Sequence, residues 1–97
     1  MTTLVEHTSS LLARISDRTA SIGIVGMGYV GLPLALLFSE QGFPVTGFDI
    51  DATKVSKLNG GDSYIVRIPG TEIQSARGRG FSATGDYAAI SRMDAVI

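Results

Sequence analysis

A short stretch with four glycines, Ser21 to Gly31, constrains the fold of this chain more than any other feature. It reads Ser-Ile-Gly-Ile-Val-Gly-Met-Gly-Tyr-Val-Gly, so that Gly26, Gly28 and Gly31 follow the spacing G-x-G-x-x-G. The apolar, β-branched residues before Gly26 predict a short buried strand. The apolar run from Leu32 to Phe38 predicts a helix after the glycines. The stretch therefore predicts a buried strand, a tight turn and a helix in direct succession.

Each of the three glycines in this spacing has its own mechanical role in such a turn. Gly26 allows the chain to turn sharply out of the strand, and Gly28 lacks the Cβ that would keep a phosphate away from the backbone. Gly31 lets the following helix pack closely against the strand. The free N–H groups and the dipole at the start of that helix favour an anion. The stretch is therefore typical of a phosphate-binding turn.

A second apolar run, Pro44 to Phe48, ends in Asp49. An acid about 20 residues beyond the first glycine, at the end of the second strand, is the group that accepts hydrogen bonds from a ribose in dinucleotide-binding folds. Strand, glycine turn, helix, strand and acid together predict a dinucleotide-binding βαβ unit. Two simpler interpretations remain: a strand, turn and helix that bind no phosphate, and an Asp49 that only stabilises a turn.

The rest of the chain continues the alternation of helices and strands, which predicts an α/β fold. We expect a Rossmann-type, doubly wound parallel sheet, of which residues 21–97 form the first half only. The predicted elements are a helix over 29–41, a strand over 44–49, a helix over 51–58 that Asp51 caps, a loop over 62–70, a helix over 73–77, a strand over 81–84, a short helix over 86–90 and a fourth strand over 94–97. Because the sequence stops within the fourth predicted strand, we expect it to be part of a longer protein.

The first 20 residues are predicted to form an N-terminal helical arm. Met1 to Ser10 is polar and is expected to fray. Ser9 or Ser10 could cap a short helix whose apolar residues, Leu11, Leu12 and Ile15, pack on the domain. The solvent-facing side of that helix would carry Arg14, Asp17 and Arg18.

Composition excludes several classes of function. A net charge of −1 gives no electrostatic reason to bind nucleic acid or an anionic membrane. The chain has no cysteine and one histidine, which leaves no disulfide, no cysteine nucleophile and no cluster for a metal site within these residues. Neither a secretory signal nor a membrane-spanning segment is evident, so a cytoplasmic protein is expected.

Several strings of residues resemble the N-terminal domain of the UDP-glucose/GDP-mannose dehydrogenase family. The most specific string is Gly28-Tyr-Val-Gly-Leu-Pro33, because many other dehydrogenases share the glycines without it. Gly47-Phe-Asp-Ile-Asp51, Lys54-Val55, Leu58-Asn59 and Asp94-Ala-Val-Ile97 extend the similarity over about the whole of Ser21 to Ile97. Members of this family use NAD to oxidise the C6 hydroxyl of a nucleotide-linked sugar to a carboxylate in two steps.

The resemblance implies a set of cofactor-binding residues. The turn would hold the pyrophosphate of NAD, Asp49 the adenosine ribose, and Lys54 matches a basic position near the cofactor, although a solvated helix lysine explains it as simply. The implied cofactor-binding residues are Gly26, Met27, Gly28, Tyr29, Val30, Gly31, Asp49 and Lys54. The family's catalytic cysteine, lysine and asparagine would lie beyond residue 97. No catalytic residue is therefore assigned here, and the chain alone is expected to be inactive.

The resemblance also bears on the substrate and leaves alternatives open. Ser63-Tyr64-Ile65 followed by Ile68-Pro69 is similar to members that act on UDP-N-acetylhexosamines, but Val66-Arg67 departs from their pattern. UDP-N-acetylglucosamine or UDP-N-acetylmannosamine is the expected substrate, with UDP-glucose next, and its site lies mostly outside this segment. Alternatively, Tyr64 and Ile65 only pin a loop.

The full-length protein is expected to be a homo-oligomer. The alternatives in function are a β-hydroxyacid-type dehydrogenase fragment and a non-catalytic dinucleotide-binding module.

Overall fold

The structure is a computed structural model that describes residues 11–97. Four short strands within this range form one parallel sheet in the order β3-β2-β1-β4. In chain order the elements are the described part of α1 (residues 11–16), β1 (Ile22–Val25), α2 (Gly31–Glu40), β2 (Val45–Phe48), α3 (Ala52–Asn59), α4 (Gly70–Gly78), β3 (Ser82–Thr84), a 3-10 helix (Tyr87–Arg92) and β4 (Ala95–Val96).

The central strand β1 organises the sheet. It pairs with β2 on one side, where Ile24 lies opposite Gly47, and with β4 on the other, where Ile22 lies opposite Ala95. Ile24 is almost completely buried, as expected for a parallel sheet that helices cover on its faces. This strand order is that of the first half of a doubly wound nucleotide-binding sheet, so the predicted α/β Rossmann-type fold is confirmed.

One face of α2 is buried against the sheet. Leu32, Ala35 and Leu36 lie on this face, whereas Leu37 is 53% exposed. Ser39 is also completely buried, and the Arg79 Nε donates hydrogen bonds to its carbonyl oxygen at 3.0 Å and to its Oγ at 3.3 Å. The buried surface of α2 is therefore narrower than its apolar run, residues 32–38, suggests.

Element boundaries and one helix type also differ from the predictions. The helix predicted from Tyr29 begins at Gly31, because Tyr29 and Val30 still belong to the turn. The short helix predicted over 86–90 is a 3-10 helix that continues to Arg92, with Asp86 accepting a hydrogen bond from the Ala88 amide at 3.1 Å. Asp51 caps α3 as predicted, since its Oδ1 accepts from the Thr53 amide at 2.9 Å.

No helix within residues 11–97 is long and apolar enough to cross a membrane.

The N-terminal arm is attached by a polar contact instead of the predicted apolar one. Leu12 and Ile15 are 60% and 42% exposed, so they do not pack on the domain as predicted. Arg14, predicted to face solvent, forms an ion pair with Asp94. Asp94 also accepts a hydrogen bond from the Ser21 amide at 2.8 Å, so it joins the arm, the start of β1 and the start of β4. The predicted cap at Ser9 or Ser10 and the predicted fraying before it lie outside the described residues.

Candidate dinucleotide site

The glycine turn that follows β1 has the geometry that the spacing of its glycines predicts. Gly26 has a φ of +88°, a region in which residues with a side chain are strained, and its amide donates to the Phe48 carbonyl at 2.7 Å. A Cβ on Gly31 would lie 1.6 Å from the Gly26 carbonyl oxygen, so α2 approaches the turn more closely than any side chain allows. At Gly28, by contrast, no atom beyond Gly28 and its two chain neighbours lies within 4 Å of the Cβ position. Gly31 is therefore required for packing, and Gly28 leaves open space beside the backbone.

The start of α2 is left without a partner from the described part of the protein. Val30 precedes the first helical residue and makes no side-chain cap, and no acid occupies the first turn. Among residues 11–97, no acceptor takes a hydrogen bond from the N–H groups of Gly28, Tyr29 or Val30. Orphaned N–H groups and the positive end of a helix dipole are the groups that hold a phosphate.

Asp49 joins the glycine turn to the second strand. Its Oδ2 accepts from the Met27 amide and its Oδ1 from the Asp51 amide, both at 2.8 Å, and the residue is only 9% exposed. Burial raises the pKa of this carboxyl, but the hydrogen bonds from the Asp51 and Met27 amides and the nearby Lys54 ammonium outweigh burial and lower the pKa below its ordinary value of 3.8. Asp49 is therefore ionised at neutral pH and keeps lone pairs for a further donor.

Tyr64 completes the site from the loop that follows α3. Its hydroxyl donates to the Met27 carbonyl, and the Lys54 Nζ lies 5.6 Å from the centre of its ring. Partial burial and the charges of Asp49 and Asp51 raise the pKa of Tyr64 to about 12. Ile65 beside it is buried in the core. The alternative in which Tyr64 and Ile65 pin a loop thus has direct contacts in its support, and the contact of Tyr64 with the glycine turn was missed from the sequence.

Two cavities meet at the glycine turn. One of about 440 Å³ is lined by Val25, Gly26, Val30, Gly31, Leu34 and Ile97 among others, and the other of about 230 Å³ by Lys54, Tyr64 and Ile65. Gly28 and Tyr29 line both cavities. A separate cavity of about 270 Å³ between α2 and α4 is lined by Glu40, Glu72 and Arg79 among others, and no residue of the glycine turn lines it. Six of the eight predicted site residues therefore line the two cavities at the turn, which together are called the depression at the glycine turn. Met27 and Asp49 line neither cavity, but the hydrogen bond between them ties Asp49 to the turn.

The site suits a dinucleotide and offers nothing for a metal. Residues 11–97 contain no group of three or more His, Cys, Asp or Glu side chains that could hold a metal ion. A parallel sheet whose first strand ends in an open glycine turn and whose second ends in a buried, ionised acid defines a dinucleotide-binding domain of the dehydrogenase type.

Comparison with known proteins gives the family. A family model described as the UDP-glucose/GDP-mannose dehydrogenase family, NAD binding domain, matches residues 20–97. The chain therefore belongs to this family, and residues 20–97 match its NAD-binding domain.

Individual relatives act on several sugars. UDP-N-acetyl-D-mannosamine dehydrogenase of Pyrococcus horikoshii is 40% identical over 45 residues, which are 46% of this chain and 11% of that protein. A UDP-glucose dehydrogenase structure from Pyrobaculum islandicum matches 80% of this chain and 19% of its own, with 30% identity and a TM-score of 0.71. The NDP-N-acetyl-D-galactosaminuronic acid dehydrogenase of Methanosarcina mazei matches 91% and 20%, with 31% identity and a TM-score of 0.68. The matched part of the chain thus spans between 5% and 18% of the length of these and other curated relatives.

Acid is expected to weaken the fold partly through Asp49. Because the pKa of Asp49 is lower in the folded chain than in the unfolded chain, its contribution to stability is complete above the unfolded value of 3.8 and is lost as the pH falls through the lower, folded value. Asp49→Asn offers one carbonyl oxygen to two amides and should lower the free energy of unfolding at neutral pH by about 1–3 kcal/mol.

Thermal unfolding of both chains between about pH 7 and pH 2 tests this expectation. The difference in stability between the two chains should shrink toward the acid end, where the parent carboxyl is protonated too. A difference that stays constant over the whole range would contradict a titrating Asp49.

Proposed function

We propose that the eight predicted residues hold NAD in the depression at the glycine turn. The N–H groups of Gly28, Tyr29 and Val30 bind the pyrophosphate, and Asp49 accepts a hydrogen bond from the adenosine ribose. The single observation that carries this proposal is the open, uncapped start of α2 directly beside the buried Asp49. Gly26 and Gly31 shape the turn, Met27 links it to Asp49, and Lys54 lies at the rim of the smaller cavity.

The proposed reaction is oxidation of a nucleotide sugar at C6 by the protein to which this domain belongs. NAD, when bound, supplies the hydride acceptor for such an oxidation. The described residues bind and orient that cofactor, and the free N–H groups of the turn keep its phosphates fixed. The catalytic residues are proposed to lie outside the 97 residues, so that the chain alone shows no turnover. A homo-oligomeric full-length protein in the cytoplasm remains part of this proposal.

The proposed substrate is UDP-N-acetylglucosamine or UDP-N-acetylmannosamine, with UDP-glucose next. The pattern Ser63-Tyr64-Ile65 and the similarity to the Pyrococcus horikoshii enzyme support the N-acetylated sugars. The similarity to a UDP-glucose dehydrogenase structure supports the second choice. In the loop itself, Tyr64 and Ile65 contact their own domain, whereas Val66 is fully exposed. Val66 and its neighbour Arg67 are both exposed and are thus free to contact a substrate or another part of the protein.

Full-length enzyme assayed with NAD and each of the three UDP-sugars tests the proposed substrate. The kcat/KM for one of the N-acetylated sugars should exceed that for UDP-glucose. The reverse order would overturn the substrate choice and leave the cofactor proposal intact. Binding of NAD without turnover of any nucleotide sugar would instead favour the non-catalytic module.

A further inference from the structure

Two neighbouring peptide groups of the glycine turn are each held by a side chain from outside the turn. The N–H of the Gly26–Met27 peptide donates to the Asp49 Oδ2 at 2.8 Å. The C=O of the next peptide, Met27–Gly28, accepts a hydrogen bond from the Tyr64 hydroxyl. Met27 is therefore anchored on both sides of its Cα, by an acid from the end of β2 and by a phenol from the loop after α3.

Because a peptide group is planar, each of these two hydrogen bonds also fixes the direction of the group at the other end of the same peptide. In a trans peptide the C=O and the N–H point in opposite directions. Asp49 thus directs the Gly26 carbonyl toward α2, where it leaves no room for a Cβ at Gly31. Tyr64 in the same way directs the Gly28 N–H away from the Tyr64 hydroxyl, and this N–H has no acceptor among residues 11–97. The orientation of this N–H, a proposed phosphate donor, is therefore coupled to the Tyr64 hydroxyl.

The Met27 side chain supplies a third fixed point. It is completely buried, and a Cβ on Gly47 would lie only 2.5 Å from its Sδ. Rotation of either peptide would have to move this side chain within a close-packed core. The two hydrogen bonds and the buried thioether together hold the turn at three points.

Tyr64 is itself held in place. Ile65 is buried beside it, and the Ser63 Oγ accepts from the Ile65 amide at 3.1 Å. The Lys54 Nζ lies over the Tyr64 ring, 5.6 Å from its centre. The raised pKa of Tyr64 keeps its hydroxyl protonated, and hence a donor, over the physiological range.

We propose that Tyr64 is a positioning residue that preorganises the pyrophosphate-binding turn through the Met27–Gly28 peptide. Its hydroxyl fixes the direction of the Gly28 N–H and, by polarising the peptide, makes that N–H a stronger donor. A turn already in its binding conformation loses less conformational freedom when the cofactor binds. This inference rests on the proposed function, in which Gly28 contacts the pyrophosphate of NAD.

Tyr64→Phe in the full chain tests the proposal, because it removes the hydroxyl and keeps the ring. Loss of one neutral hydrogen bond should weaken NAD and ADP about three- to tenfold. Adenosine, which has no phosphate, should bind equally well to both chains. In the ligand-free chain the Met27 amide should exchange with deuterium faster in the variant, while the amides of β1 exchange at unchanged rates.

Tyr87→Phe is the matched control. The Tyr87 ring packs edge-on against Phe48 at 5.8 Å, and no residue of the described range accepts a hydrogen bond from its hydroxyl. This variant should change neither the affinities nor the exchange at Met27. An equal effect of both substitutions would mean a general loss of packing and would overturn the proposal.

Other outcomes separate this inference from the proposed function. If the unmutated chain binds NAD and Tyr64→Phe binds it equally well, the inference fails and the proposed function stands. If the unmutated chain binds neither NAD nor ADP, the proposed function fails and the inference fails with it. Should Tyr64→Phe not fold, hydrogen exchange in the unmutated chain decides. A Met27 amide as protected as the amides of β1 supports a preorganised turn, and one that exchanges as fast as an exposed loop amide overturns the proposal.

Discussion

Gly31→Ala is expected to abolish cooperative folding of this domain. The new Cβ would lie 1.6 Å from the Gly26 carbonyl oxygen, and that oxygen belongs to a peptide that Asp49 holds in place. Neither backbone can move without separating α2 from β1, so the loss in free energy of unfolding should exceed about 4 kcal/mol, a size confined to a few severe mechanisms. Thermal unfolding followed by circular dichroism should show no cooperative transition in the variant.

Gly28→Ala is the control for this prediction. No atom beyond Gly28 and its two chain neighbours lies within 4 Å of its Cβ position, so the variant should fold with nearly unchanged stability. The methyl group would nevertheless occupy the space in which we place the pyrophosphate, and NAD should bind at least about tenfold more weakly. A Gly31→Ala chain as stable as the Gly28→Ala chain would show that the close approach of α2 to the turn is wrong.

Asp49→Ala is expected to reduce the affinity for NAD by about 1–3 kcal/mol, or about five- to 150-fold, because it removes a charged hydrogen-bond partner of the ribose. The same carboxylate repels a 2′-phosphate, so the unmutated chain should prefer NAD over NADP. The variant should lose most of that preference. Titration calorimetry with both cofactors measures the ratio of the two affinities.

The ratio is the informative quantity because Asp49 also holds the turn. Loss of its hydrogen bonds to Met27 and Asp51 would disturb the binding of both cofactors alike, whereas charge repulsion acts on NADP alone. Asp51→Ala serves as the control: it removes a neighbouring carboxylate that caps α3 and should cost about 1 kcal/mol of stability with an unchanged cofactor preference. Equal affinity of the unmutated chain for NAD and NADP would contradict the role of Asp49.

The parts of the fold that the sequence predicts well are those with a local cause. The glycine spacing, the β-branched residues of β1 and the capping Asp51 each act within a few positions, and the structure has the turn, the strand and the cap where they were predicted. The position of Asp49 follows as well, because the length of a βαβ unit varies little. Its hydrogen bond to Met27 adds a contact that the spacing alone did not supply.

The contacts that were missed join residues far apart in the chain. Tyr64 reads as a loop residue because nothing near it in sequence reveals the Met27 carbonyl. Asn59 reads as the end of α3, yet its side-chain amide donates to the Ala83 carbonyl at 2.8 Å and its Oδ1 accepts from the Ala83 amide at 2.9 Å. The buried Ser39 accepts a hydrogen bond from Arg79, which lies 40 positions further along the chain. Polar side chains that bond to distant backbone have no periodicity, so a pattern search does not find them.

The spacing of contacts along the chain has a consequence for the order of folding. Met27 and Asp49 are 22 positions apart, whereas Ser21 and Asp94, which join β1 to the start of β4, are 73 apart. Closing the longer loop costs about 1 kcal/mol more in chain entropy. We therefore expect β1, α2 and β2 to assemble first and β4 to dock later, since local contacts form faster than distant ones. The glycine turn and its acid would then form early, before the sheet has its fourth strand.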